Sequence, residues 1–181
     1  LGVLLVLGFL AYSTGFGGPF LFDDFGALSA NALLQIDGSV FDAWRSAALS
    51  SGSGPLRRPI AMFTFALNHA ALGDVSPFAL KLVNGLIHAA VGTLVYLLVS
   101  ALFAQLCPGA DHTQARWLGL LTAAIWLLHP LHVSTVLYAV QRMAQLAALF
   151  MVAGLLVFVR YRRRWARVGA GADEVVAAGL W

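Results

Sequence analysis

Apolar residues run through this chain in long blocks, and the places where the blocks break carry the information. Leu1 to Tyr12 is almost wholly apolar but shorter than the roughly 20 residues that cross a bilayer. Ser13 to Ser76 holds too many polar groups to cross and predicts one long connection. Within it, Phe41, Trp44 and Ala48 share a stripe of a helix predicted over Val40 to Leu49, the pattern of a helix lying in a membrane interface. Ser50 to Pro55 breaks that helix. Pro59 suits the first turn of a second helix, which ends before Gly73-Asp74. At about 14 residues, or roughly 21 Å, it is short for a span and should dip into or lie along the membrane. Ser76-Pro77 predicts a capped helix start, and the apolar segment that follows, to about Ala104, is long enough to cross. A polar turn from Leu106 to Ala115 precedes another apolar block from Arg116 to Leu128. His129-Pro130 interrupts that block, because proline removes a backbone donor and crowds the preceding turn. Met143 to Val159 is the last clear apolar run.

The pattern predicts an all-α polytopic membrane protein with about four transmembrane helices plus external interfacial helices. The spans fall at about 1–12, 77–104, 116–129 and 142–160, with an external loop over 13–76. One partial membrane domain covers 1–165, and 166–181 forms a cytoplasmic linker and the start of a possible next span. A signal-peptide core is the alternative reading of the first block, since Ala11-Tyr12-Ser13 passes for a cleavage site.

Composition agrees with this class: of 181 residues 60% are hydrophobic and 10% charged, with a mean hydropathy of +0.83. The chain starts without methionine and stops in an apolar run, so it reads as a fragment of a longer protein. Arg160, Arg162, Arg163, Arg164 and Arg167 cluster after the last apolar run. The positive-inside rule assigns that cluster to the cytoplasm. Counting back puts the Cys107 turn and the N-terminus in the cytoplasm, and the 13–76 loop and the His129 to Arg142 stretch on the external face. The expected location is a bacterial inner membrane with a periplasmic active face. The arginine cluster abuts an apolar helix with no fold to present it, so nucleic acid is not expected as a partner. A single cysteine, Cys107, excludes an intrachain disulfide and a Cys-rich metal site.

Polar residues are few enough to be inspected one by one. Asp23 and Asp24 stand between aromatic residues at the edge of the first apolar block, where a carboxylate carries a desolvation cost and needs a reason. Adjacent like charges raise one another's proton affinity, which suits a general base near neutral pH; the structural alternative is a helix cap with a solvated neighbour. Lys81, Asn84 and His88, at i, i+3 and i+7, share one face of their helix beside a stripe of Gly85, Ala89 and Gly92 suited to close packing. They are candidate substrate contacts, or a snorkelling lysine with two interhelical hydrogen-bonders. His129, His132, Gln141 and Arg142 gather at the outer ends of two spans. Arg142 could fork a phosphate, whereas a His-x-x-His pair with no third ligand is not read as a metal site. Arg57 and Arg58 form a second external cationic pair, suited to a donor phosphate or to anionic lipid headgroups.

Taken in order, Phe22-Asp23-Asp24, Asn31, Leu56-Arg57-Arg58-Pro59-Ile60, Phe65-Ala66-Leu67-Asn68, Asn84, His88, His129-Pro130-Leu131-His132, Tyr138 and Gln141-Arg142 resemble the N-terminal membrane half of the transmembrane and tetratricopeptide-repeat O-mannosyltransferases and their bacterial relatives, within the GT-C glycosyltransferase superfamily. The resemblance covers about Phe20 to Arg162. It implies transfer of a sugar from a polyprenyl-phosphate-linked donor on the outer leaflet to an acceptor hydroxyl on protein or glycan. It also implies that an aspartate of the first external loop activates the acceptor: Asp23 or Asp24, with preference for Asp23. It implies no certain cofactor and leaves divalent-metal dependence open. The family's repeats and later donor-binding spans follow the part matched here. Two rivals remain at this stage: a transporter or channel-like bundle using Lys81, Asn84 and His88 as a path, and a non-catalytic membrane anchor.

Overall fold

The computed structural model describes residues 1–36, 40–52, 57–73, 76–107, 109 and 111–168, with side chains to residue 162. Among these residues there is no strand. Seven α-helices follow in order: α1 (Gly2–Ser13), α2 (Phe41–Ala48), α3 (Pro59–Leu72), α4 (Pro77–Leu106), α5 (His112–Leu128), α6 (His132–Leu137) and α7 (Arg142–Val168). Short π and 3-10 turns fill Phe25–Ser29, Ala32–Leu34 and Ala139–Gln141. The breaks fall where local chemistry demands. Gly73 ends α3 at φ 73°, a left-handed cap that glycine takes without a Cβ penalty. Ser76 caps α4 by accepting the Ala79 N–H at 3.2 Å, with Pro77 at the first position. Pro130 separates α5 from α6.

Helix α4 is the central post. It packs along α5 and α7 and also meets α1, α3 and α6. Two glycines bring α4 and α5 close: a Cβ on Gly119 would lie 2.9 Å from the Tyr96 carbonyl oxygen, and one on Gly92 2.5 Å from Leu127 Cδ2. One core cluster, with Leu28, Leu34, Met62, Phe65, Leu80 and Leu146, joins the first connection to α3, α4 and α7. A second, with Tyr12, Phe16 and Val136, fixes α1 and the Gly15 to Pro19 turn against α6. Large apolar side chains stand exposed along α1, α4, α5 and α7, among them Val6, Leu86, Ile125 and Val157. That is the inverse of a water-facing surface and fits a lipid environment.

Among the described residues, two helices are long and apolar enough to cross a membrane: Pro77–Leu106 and the segment Ala139–Arg162. Helices α1 and α5, with 12 and 17 residues, reach only about 18 and 26 Å, less than the roughly 30 Å hydrocarbon core. Helix α7 runs on past the expected end at residue 160 to Val168, since arginine is a good helix former and its charge does not end a helix. The expected turn over 106–115 is shortened because α5 begins at His112.

Candidate functional site

The site is built on the broken backbone between α6 and α7. A helix break strands N–H and C=O groups that must find partners. Asp24, fully buried, supplies the acceptors: Oδ1 takes the Val140 N–H at 2.7 Å and Oδ2 takes those of Ala139 at 3.3 Å and Leu21 at 3.1 Å. A carboxylate at the start of α7 also meets the positive end of the helix dipole. Asn84 supplies the donors. Its Nδ2 donates to the carbonyls of Val136 at 3.3 Å, Tyr138 at 3.3 Å and Ala139 at 3.2 Å.

Arg142 lies beneath this break, fully buried. Its Nε donates to Asn84 Oδ1 at 2.9 Å, Nη1 to Asn68 Oδ1 at 2.8 Å and to the Thr64 carbonyl at 3.2 Å, and Nη2 to the Leu80 carbonyl at 2.9 Å. The guanidinium carbon sits 4.4 Å from the Phe65 ring centre, a cation–π contact. All four acceptors are neutral, and no carboxylate pairs with Arg142 among the described residues. The side chain expected to fork a phosphate at an open mouth is thus turned inward, where it ties α3, α4 and α7 together. Asn68 and Phe65 are its partners. Their signal in the sequence was a lone amide inside an otherwise apolar helix.

Asp23 has the opposite environment from its neighbour. It is exposed, and its backbone N–H donates to Tyr138 Oη at 3.0 Å. Burial, with smaller contributions from the Asp23 and Asp24 charges, pushes the Tyr138 phenol above its ordinary value. The phenol therefore stays protonated at neutral pH beside an accessible carboxylate. Phe22, 85% exposed, holds φ 39° and its ring meets Tyr138 edge-on at 6.5 Å. Arg57 and Arg58 are also left-handed, at φ 48° and 44°. Three bulky residues in this region cost of order 1 kcal/mol or more each, and such strain gathers at functional sites. Both arginines are exposed. Arg58 Nη1 lies 3.0 Å from Met143 Sδ, in the first turn of α7, and Arg57 Nη1 reaches the Leu49 carbonyl at 3.4 Å. Arg57 also lines an open cleft of about 470 Å³ with Arg45 and Asp42 of α2, residues the sequence pattern had not singled out.

The remaining candidates divide. Lys81 is buried and donates to the carbonyls of Gly18 at 2.7 Å and Pro19 at 2.9 Å, anchoring the turn that leads to Asp23. His88 lies one helical turn past Asn84, with Nε2 3.3 Å from the Leu127 carbonyl. That carbonyl, stranded at the end of α5, also accepts from Tyr12 Oη at 3.1 Å. His132 packs against His88 and Trp126 at 5.0 and 4.5 Å between ring centres, with His129 at 6.3 Å. Gln141 is half-buried in the 3-10 turn; the amide that bridges the break is instead Gln145, whose Nε2 donates to the Thr135 carbonyl at 2.6 Å. No three His, Cys, Asp or Glu side chains among the described residues stand as a metal-binding group.

Burial, and then the neighbouring His129, push the His132 imidazole below its ordinary value. The unfolded chain therefore takes up that proton first, so stability should fall as pH drops through about 6.5. The thermal midpoint of the full-length protein is expected to fall between neutral and mildly acidic pH, and less steeply in His132→Gln. Parallel profiles for the two proteins would place the titration elsewhere.

No family model matches the chain, and no solved structure does. Curated relatives do. The chain is 31% identical over 176 residues to Protein O-mannosyl-transferase TMTC4 of Mus musculus, covering 91% of this chain and 23% of that protein. It is 31% identical over 188 residues to Protein O-mannosyl-transferase Tmtc2 of Drosophila melanogaster, covering 95% and 18%. It is 31% identical over 160 residues to Protein O-mannosyl-transferase TMTC2 of Homo sapiens, covering 86% and 18%. The chain thus spans about a quarter or less of the length of the curated relatives it matches. Across nearly all of its own length the chain is similar to the TMTC protein O-mannosyl-transferases.

Proposed function

We propose that this chain is the acceptor-activating part of a GT-C-type membrane glycosyltransferase, which transfers a sugar from a polyprenyl-phosphate-linked donor to an acceptor hydroxyl at the external face. One observation carries the reading: the adjacent aspartates are divided in labour. Asp24 has both oxygens engaged by backbone N–H groups and builds the site. Asp23 stays accessible beside Tyr138 and is the group left to accept a proton. As the acceptor oxygen attacks the anomeric carbon, Asp23 takes its proton and the bond to the lipid phosphate breaks. The departing phosphate is negative, and the exposed Arg57 and Arg58 are the cations available to meet it. Lys81, Asn84 and Arg142 position the loop and the break. The relatives' names support sugar transfer to protein, with mannose as the first sugar to try. The deciding assay is transfer from a polyprenyl-phosphate sugar by the full-length protein, with Asp23→Asn beside it. A transporter path has less support, because Lys81, Asn84 and His88 are each committed to backbone carbonyls.

The proposed topology has four crossings, with α1 and α5 completing the two longer helices, and places Asp23 outside. It rests on the arginines that follow Val159. In full-length protein stripped of its other cysteines, Gly52→Cys is expected to react with an impermeant maleimide from the external side, and the native Cys107 from the cytoplasmic side. Labelling of both from one side would remove the external site.

A further inference from the structure

At the other end of α4, Tyr96, Ser100, Gln105, His112, Arg116 and Arg160 surround an open cleft of about 440 Å³ between α4, α5 and α7. Ser100 lies about 24 Å along the helix from Asn84, so this is a separate place from the Asp23 site. Four features set the cleft apart. Arg116 and Arg160 bring two guanidiniums to it, and neither has a hydrogen-bond or ion-pair partner among the described residues. Ser100, its hydroxyl buried without a partner, packs against Gly119 and holds α4 close to α5 at the cleft. Gln105 Nε2 donates to the Val159 carbonyl at 2.9 Å, fixing α4 against α7 beside Arg160. The first turn of α5, which begins at His112 and leads into Arg116, adds the positive end of its dipole. The charge that opposes an anion is Asp111, at the start of α5. The Thr113 hydroxyl holds its carboxyl below the ordinary value, and its N–H bonds back to Gln114 Oε1 at 3.3 Å, so it serves its own helix end.

We infer that this cleft is a phosphate-ester site. The two guanidiniums would take the phosphate oxygens in the paired geometry arginine favours. The ester is either an anionic phospholipid headgroup or a free phosphate ester from the adjoining aqueous phase. The site does not depend on the sugar-transfer reading.

The test uses full-length protein in phosphatidylcholine nanodiscs, with and without a photoreactive phosphatidylglycerol. The phospholipid source predicts crosslinks in the 96–105 and 112–116 segments. These should fall about tenfold in Arg116→Gln/Arg160→Gln, the worth of one lost charged hydrogen bond or more. They should barely change in Arg162→Gln, which removes a cation from α7 outside the cleft. The free-ester source predicts no such crosslink, but a rise of the wild-type thermal midpoint in millimolar inorganic phosphate that the double variant lacks. Either result supports the site. A double variant that matches Arg162→Gln in both measurements overturns it. Should the double variant not fold, Arg116→Gln and Arg160→Gln are compared singly, and the same criterion applies.

Discussion

Asparagine in place of Asp23 is expected to lower sugar transfer by the full-length protein by a factor of roughly 10² to 10⁴, the usual worth of a positioned general base. Asparagine keeps the size and polarity of the side chain but cannot take the proton. The Asp23 contact that the structure fixes is made by its backbone N–H to Tyr138, and the substitution leaves that untouched. The thermal midpoint should therefore stay near wild type. Asp24→Asn should behave in the opposite way. Its two oxygens accept three backbone N–H groups, and an amide would point an NH₂ at one set of them. Stability should drop by about 1–3 kcal/mol, with activity falling as a consequence. Measuring turnover and thermal midpoint for both variants separates the roles. Full activity in folded Asp23→Asn would end the general-base assignment. A large loss of stability in that variant would make both aspartates framework.

Arg142→Lys should cost about 2–4 kcal/mol of stability, and Arg142→Ala somewhat more, because removing one partner of a buried network leaves the others unsatisfied. Lysine keeps the charge but not the planar fork that reaches Asn84, Asn68, Thr64 and Leu80 at once. The loss should appear as a lower thermal midpoint and faster proteolysis in the connection between α2 and α3. Asn68→Ala should share part of the effect, and the double variant should fall short of the sum, since the two residues belong to one network. If Arg142→Lys keeps its stability while donor use falls, the guanidinium leaves its buried partners to bind phosphate, as its forked donor geometry had suggested.

These two cases show where the sequence was legible. The helix starts at Pro59 and Pro77, the stop at Gly73 and the interruption at Pro130 were all readable, because proline and glycine act through their own backbone chemistry and need no tertiary partner. Close helix packing was readable from the stripe Gly85, Ala89 and Gly92, but its partners were not: Gly85 meets Phe9 and Phe16, and Gly92 meets Leu127 of α5. The motif residues were also visible, being rare polar groups in an apolar chain. Their division of labour was not visible. Asp23 and Asp24 are chemically identical neighbours, and the turn that buries one and exposes the other is held by Lys81, Tyr138 and the start of α7, all more than 50 residues away.

Arg142 makes the same point more strongly. A cation near a helix end reads as a surface group, because burial of a charge is expensive in general. Whether four neutral acceptors and an aromatic face converge to offset that cost depends on how α3, α4 and α7 pack, and no local pattern reports it. The sequence by itself determined that the chain is helical and apolar, where α3 and α4 begin and α3 stops, and which few polar residues stand out. Only the tertiary structure decided which of those residues face solvent and which bind the frame, because a hydrogen bond between distant segments exists only after the segments have met.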